Sequence, residues 1–437
     1  MEKKDNSGKS FWLGVLTGCI IAAFVAVVVL CINIYRQRTQ EPAEEPKEVT
    51  VTVPQGSSSS GSGLVRISPG KVPEGSVLQD RDVIGKIGAL EQVIDEEFID
   101  SVSDNAIENG IYSGIMEALD DPYAEYYTQE EWIEMQQETQ GIYYGIGAYL
   151  VKDLDTLYPR ITGVIKDTPA QESGLYEDDY IVEIDGEDVY DLDLSDVVSR
   201  IRGEEGTKVH LTIIRGEGAD REELEFDVER RKVETPSVEY QNKGNGIAYI
   251  AISEFDVVTV DQFAAAMEQA RADQMQGLII DLRSNPGGSL GAVVQIARMM
   301  LPQGHIVYTE DKNGNQDFYD CDGKNELDVP LVVLVNGNSA SASEILAGAI
   351  KDYGIGTLVG TTTYGKGIVQ RIFTLTDGSA IKLTISHYYT PLGNDIHKVG
   401  IVPDEELPFD ADKYREDGTD NQLDRAIELI GEKINGN

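Results

Sequence analysis

"LVVLVNGNSASASEILAGAIKDYG", residues 331–354, is the stretch on which the fold turns. Leu331 to Val335 form an uninterrupted apolar run of strand length, the pattern of a strand buried on both faces. Small polar residues follow. From 341 to 352 the apolar positions Ile345, Leu346, Ala349 and Ile350 then fall on one face of a helix. The same alternation recurs on the N-terminal side: "GIAYIAI" (246–252), a helix over 259–273, a strand over 277–282 and a helix over 289–302. Alternating strands and helices of these lengths predict an α/β layer with a largely parallel sheet. Beyond it, "GIVQRIFTLTDGSAIKLTISHYY" (367–389) reads as a hairpin turning at Asp377-Gly378.

The texture changes upstream of 245. Over 82–138 the apolar residues recur at helical spacing: Val83, Ile87, Leu90 and Ile94, then Ile107, Ile111, Ile115 and Leu119. "DDPYAEYYTQEEW" (120–132) marks a break and a short restart, because Pro122 disfavours helix at the residue before it. From 140 to 232 short β-type runs dominate ("YPRITGVI", "DDYIVEIDG", "KVHLTIIRG"), with one helix, "DLSDVVSRIRG", ending at Gly203.

Residues 11–35 carry no charge, and a helix of that length spans a hydrocarbon core of ~30 Å. Lys3, Lys4 and Lys9 precede it, which predicts a cytoplasmic tail (1–10) and an extracytoplasmic body. Residues 16–19, "LTGC", resemble a lipoprotein cleavage box, but the apolar run before them is short; an uncleaved single-pass anchor in the cell membrane is the reading. Residues 36–80, rich in Pro, Glu, Ser and Gly, form a flexible linker. The domains expected after it are a helical segment (81–139), a β-rich unit (140–232) and the α/β core (233–437).

The chain carries 36 bases and 77 acids, a net charge of −41. Such a surface repels phosphate backbones, so no nucleic-acid partner is expected. Of three cysteines, Cys19 and Cys31 lie in the apolar run and Cys321 stands alone, so packing rather than disulfides stabilises the body. There is no HExxH motif or Cys/His cluster, and no metal or cofactor is expected.

Ser339, Ser341 and Ser343 stand two apart, with no histidine within thirty positions of the stretch 336–350. One reading is structural: Ser341 and Glu344 fit a capping box at the helix start. The other is chemical. A serine at a strand-to-helix turn is exposed, and the free N–H groups of the helix start suit a developing oxyanion. A proton acceptor is then needed. Of His210, His305, His387 and His397, only His387 in "ISHYYT" is near the catalytic half. Lys366, between Gly365 and Gly367 at the start of an apolar strand, is the other candidate. Held against apolar surface, its amine can be neutral. Period two along a strand would put Lys366, Ile368 and Gln370 on one face, where Gln370 can orient the amine.

With these residues in view, "VNGNSASASEILAGAIKDYG…VGTTTYGKGIVQ" resembles the carboxyl-terminal processing peptidases, or tail-specific proteases. The likeness extends over almost all of 82–437 and takes in "DLRSNPGG" (281–288), "YTPLGNDIHKVGIVPD" (389–404) and "ALDDPYAEYYT" (118–128). It implies a crotonase-like α/β protease core with an inserted PDZ domain over 140–232. It implies Ser341 as nucleophile, Lys366 as general base and Gln370 as the residue that positions the lysine. The oxyanion hole would come from the N–H of Ala342 and of Gly287 or Gly288. In the PDZ domain, Tyr144, Gly145, Ile146 and Gly147 would grip a peptide's terminal carboxylate, and Arg202 would couple peptide binding to the active site. The extra aspartate of "ALDDPY" and the overlapping loop registers of "GIYYGIGAYL" depart from the family's pattern. The expected function is a membrane-anchored serine endopeptidase acting on proteins with exposed C-termini. Homo-oligomerisation stays open. The rival readings are a catalytically silent PDZ scaffold and, by fold analogy, an acyl-CoA enzyme.

Overall fold

The computed structural model describes residues 65–67, 72–216, 218 and 221–436. The expected cytoplasmic tail, the anchor and most of the linker lie outside the described residues. Among the described residues no helix is long and apolar enough to cross a membrane. The C-terminal part of the expected linker departs from coil: Val65–Ile67 is a short strand paired in parallel with Phe373–Leu375.

The core is built on one sheet. Its strands are β1 (Val238–Asn242), β2 (Ile247–Ile252), β3 (Gly277–Asp281), β4 (Leu331–Val335), β5 (Gly356–Gly360) and β6 (Glu405–Glu406), in spatial order β1-β2-β3-β4-β5-β6. Only β1 runs antiparallel to its neighbour. Both faces are covered, which is why β4 reads as an unbroken apolar run and β3 as one up to Asp281. Ile250, Leu278, Ile280, Val333 and Val335 face one core, against helices α1 (Val257–Ala272), α2 (Leu290–Ala297) and α3 (Ala342–Tyr353). The alternate residues Tyr249, Ile279, Val332 and Leu334 face Ala426 and Ile430 of the last helix, α4 (Asn421–Asn435). Arg283 pins α4 down: its guanidinium reaches Asp281 at 2.6 Å and Asp420 at 2.8 Å in a largely buried clamp.

A second, mostly antiparallel sheet flanks the core. It contains the expected hairpin, Ile368–Leu375 with Ala380–Tyr389, and adds Gly304–Asp311 and Gln316–Cys321. Glu125–Tyr127, inside the stretch read as a helix break, pairs with the Ala380 end of the hairpin. Residues 146–228 form a core of their own, walled by Ile146, Ile161, Ile181, Leu211 and Val228. Ala148–Lys152 is the edge strand of that unit's sheet and lies beside helix Leu194–Ile201.

Two strands, Ile142–Gly145 and Arg231–Glu234, join this unit to the core as an antiparallel neck. The neck is closed by Thr235 N–H donating to the Gly141 carbonyl at 2.8 Å. Acids gather beside it: Glu134 and Glu138 from helix Gln129–Gln140, and Glu254 and Asp256 ahead of α1. Asp256 is buried, and burial first, then Glu254 and Glu138, pushes its carboxyl up to about 8. Burial and then Glu138 likewise raise Glu134 to about 7.

The sign of the consequence follows. The folded state keeps a proton on Asp256 that the unfolded chain releases near pH ~4. The stability from that proton is full below about pH 4 and is lost as pH rises through about 8. Asp256→Asn keeps a good N-cap for α1 but cannot titrate. We expect the fall in melting temperature from about pH 5 to pH 8 to be shallower in this variant than in the wild type; equal slopes would contradict the assignment.

Candidate active site

The strand-turn-helix of residues 331–353 separates the three serines by the fate of their hydroxyls. Ser339 is fully buried; its Oγ donates to the Leu282 carbonyl at 2.8 Å and accepts from Asn336 N–H at 2.9 Å. Ser343 is also fully buried, its Oγ donating to the Asn285 carbonyl at 3.1 Å. Both hydroxyls are committed to fastening the "DLRSN" loop to the turn. Ser341 is half-buried and stands at φ 53°, ψ −113°, a backbone conformation that a residue with a Cβ holds only under constraint.

Glu344 supplies much of that constraint. Its side chain is fully buried and forms no ion pair among the described residues; donors surround it instead. Oε2 accepts from Ser341 N–H and from Lys366 N–H, each at 2.9 Å. Oε1 accepts from Gly365 N–H at 2.7 Å and from the Thr363 hydroxyl at 2.6 Å. Four donors on two oxygens suit an acceptor-only carboxylate. The capping box read from the sequence is therefore half of a larger device, in which one carboxylate ties the backbone of Ser341 to the loop that carries Lys366.

Lys366 is half-buried, and burial first, then the like charge of Lys382, holds its amine below the usual lysine range, with Asp121 opposing. Its Nζ lies 4.2 Å from the centroid of the Tyr123 ring. The strand after it begins only at Ile368; the register shift in its pairing skips Ile385 on the partner strand, so the alternation within Ile368–Leu375 is unbroken. The Gln370 amide donates to Thr384 Oγ1 at 3.4 Å on the neighbouring strand.

His387 is exposed, on the opposite side of its strand from its neighbour. That neighbour, Tyr388, is buried: its hydroxyl donates to the Lys366 carbonyl and lies in hydrogen-bonding reach of Ser341. The strand's alternation carried this signal. His397 packs edge-on against His387 at 5.2 Å, and His210 and His305 pair with Asp227 and Asp320 on the surface.

Gly287 is pressed against the nucleophile turn at φ 110°; a Cβ there would come within 2.7 Å of Ser341 Cβ and 2.8 Å of the Ala340 carbonyl oxygen. Its N–H is already given to Asn285 Oδ1 at 2.8 Å. Gly288, at φ 132°, packs against the backbone of Phe255. Ala342 opens α3, so its N–H has no acceptor within the helix.

In the β-rich unit, Tyr144 and Gly145 end the neck strand, and Ile146 and Gly147 form the turn into the edge strand Ala148–Lys152. Ile146 is buried in that unit's core, and at Gly147 (φ 87°) a Cβ would collide with Thr168. Arg202 is not a solvated helix-end arginine. It is half-buried, its guanidinium 4.8 Å from the Tyr143 ring centroid, and burial lowers its pKa against the attraction of Tyr143, Glu138 and Glu134.

Residues 246–407 match Peptidase family S41, and residues 160–215 match a PDZ domain. The "Carboxyl-terminal-processing protease" of Synechocystis sp. is 38% identical over 322 residues, which span 72% of this chain and 75% of that protein. A "Probable CtpA-like serine protease" of Staphylococcus saprophyticus is 32% identical over 330 residues, 75% of this chain and 66% of that one. Among solved structures, the photosystem II D1 C-terminal processing protease shares 29% identity over 74% of this chain and 86% of its own, with a TM-score of 0.44. The chain belongs to peptidase family S41, the carboxyl-terminal-processing serine proteases, and it carries the PDZ domain that the sequence led us to expect.

Glu344→Gln offers one acceptor oxygen to four donors and turns an NH2 group toward N–H groups. We expect a loss of about 3 kcal/mol in denaturant unfolding, and a fall in peptidase activity that persists under conditions where the variant is fully folded. Wild-type stability and activity would show that the carboxylate does not organise the site.

Proposed function

We propose that the chain is a membrane-anchored, extracytoplasmic endopeptidase with a Ser341–Lys366 dyad on a crotonase-like core. The neutral amine of Lys366 takes the proton of Ser341 Oγ as that oxygen attacks the scissile carbonyl. The protonated amine then returns the proton to the leaving amine, and water resolves the acyl-enzyme by the same route. Gln370 orients Lys366 once substrate is bound. The N–H of Ala342 and a glycine N–H stabilise the oxyanion. Because Gly287 N–H already serves Asn285, the glycine we favour is Gly288.

The observation that carries the reading is the Glu344 carboxylate, which gathers the backbone of Ser341 and of Lys366 onto one oxygen. A scaffold that only bound peptides has no use for that arrangement. It supports a dyad of two residues distant in sequence without a histidine. The lowering of the half-buried amine's pKa by burial and Lys382 supports its service as a base.

Substrates are selected by their C-termini. A tail adds as a strand to the open edge of Ala148–Lys152, beside helix Leu194–Ile201, with its carboxylate toward the turn of Tyr144, Gly145, Ile146 and Gly147. Arg202, held between the neck tyrosine and the acids of helix Gln129–Gln140, is in position to relay occupancy to the core.

Ser341→Ala is expected to abolish cleavage of an unstructured protein with a free apolar C-terminus while leaving binding of a tail peptide intact. Lys366→Ala is expected to lose cleavage by about 10³-fold or more. The wild-type rate should rise with pH as Lys366 loses its proton; cleavage by Ser341→Ala at the wild-type rate, or a rate flat from acid to alkaline pH, would sink the dyad.

A further inference from the structure

The "DDPYAEYY" stretch stands out in the sequence, yet residues 121–127 lie outside both the peptidase match (246–407) and the PDZ match (160–215). In the structure they reach the base. We propose that this segment completes the active site: Tyr123 walls the amine of Lys366, and Glu125 with Tyr127 holds Lys382 as its neighbouring cation, so that the segment sets the pH at which the base works. The proposal rests on the dyad reading above.

The geometry has two arms. The Tyr123 ring covers Lys366 Nζ at 4.2 Å. Tyr123 is itself fixed at both ends. Its N–H donates to Asp121 Oδ1 at 3.0 Å, and its hydroxyl hydrogen-bonds to Tyr364, in the same loop as Lys366. The second arm is the strand Glu125–Tyr127, which pairs residue for residue with Ala380, Ile381 and Lys382. Glu125 Oε2 meets Lys382 Nζ at 2.7 Å and also accepts from the Tyr127 hydroxyl at 2.6 Å. The Tyr127 hydroxyl accepts a hydrogen bond from the same ammonium. Lys382 is thereby a placed charge rather than a mobile one.

The ring has two opposed effects on the amine. Its π face attracts an ammonium and so favours the protonated form. Its bulk excludes water and so disfavours that form. The other charged or titratable groups around Lys366 are few. Lys382 stands on the strand Ala380–Tyr389, and Asp121 in the segment itself. Glu344 holds the Lys366 N–H, Tyr388 its carbonyl, and Tyr364 shares its loop. The loop carrying His397 and Lys398 packs its backbone on Gly367 and Gly365. Of these, Lys382 repels the protonated amine and Asp121 favours it. Burial is the largest influence on the amine and lowers its pKa; within the proposal, the ring's exclusion of water outweighs its attraction for the ammonium. Opening the wall therefore makes the amine harder to deprotonate.

The test is the pH–rate profile of the full chain on casein, an unstructured substrate. It compares wild type, Tyr123→Ala, Tyr123→Phe and Lys382→Met, with Ser341→Ala and Lys366→Ala as controls. Tyr123→Ala is expected to move the acid limb to higher pH. Cleavage near neutrality then falls by about tenfold, while the alkaline rate stays within about twofold of wild type. Tyr123→Phe keeps the ring and should keep the profile. Lys382→Met, which leaves Tyr123 untouched, should move the limb in the same direction. A Tyr123→Ala rate lowered equally at every pH, an unmoved limb, or a limb displaced to lower pH would each overturn the proposal. Cleavage by Ser341→Ala or Lys366→Ala at the wild-type rate would instead overturn the dyad reading, and this proposal with it.

Discussion

The Glu344 carboxylate is the constraint on which the catalytic half depends. A fully buried acid without a cation is costly unless donors replace the water it has lost. Here four do, and three of them are backbone or side-chain groups of residues 363–366. The fourth is the N–H of Ser341. The geometry of the nucleophile turn and the geometry of the base loop are therefore one problem with one solution. Thr363 extends the tie, because its hydroxyl also accepts from Ile401 N–H at 2.7 Å. The third loop of the site is fastened separately, by Asn285: its carbonyl accepts from Ala340 N–H at 3.0 Å and from the Ser343 hydroxyl, and its side chain serves Gly287.

Periodicity exposed the frame. β4 is apolar at every position, and β3 up to Asp281, because both faces of the sheet are covered, and the Asp377-Gly378 hairpin turns where the turn residues said it would. The strands Gly304–Asp311 and Gln316–Cys321 escaped notice because their outward positions carry charge and their apolar runs are short. Glu125–Tyr127 escaped because Pro122 dominated the reading of its neighbourhood, while the strand depends on partners 253 to 257 residues away.

Spacing could not choose among three serines two apart. What separates them is tertiary: the carbonyls of Leu282 and Asn285 take the hydroxyls of Ser339 and Ser343, and only Ser341 combines partial exposure with a positive φ. Tyr388 was legible in principle. His387 and Tyr388 must point to opposite faces of a strand, so a choice between them was open from the alternation alone. The period-two argument for Lys366 and Gln370 starts two residues early, because the strand begins only at Ile368.

The most direct test of the central claim is to expose the full chain to a fluorophosphonate, which phosphonylates an activated serine, and to map the label by peptide mass spectrometry. A site organised as described is labelled at Ser341 alone, and labelling is lost in Lys366→Ala. Label on Ser339 or Ser343, or label on Ser341 that survives Lys366→Ala undiminished, would contradict it.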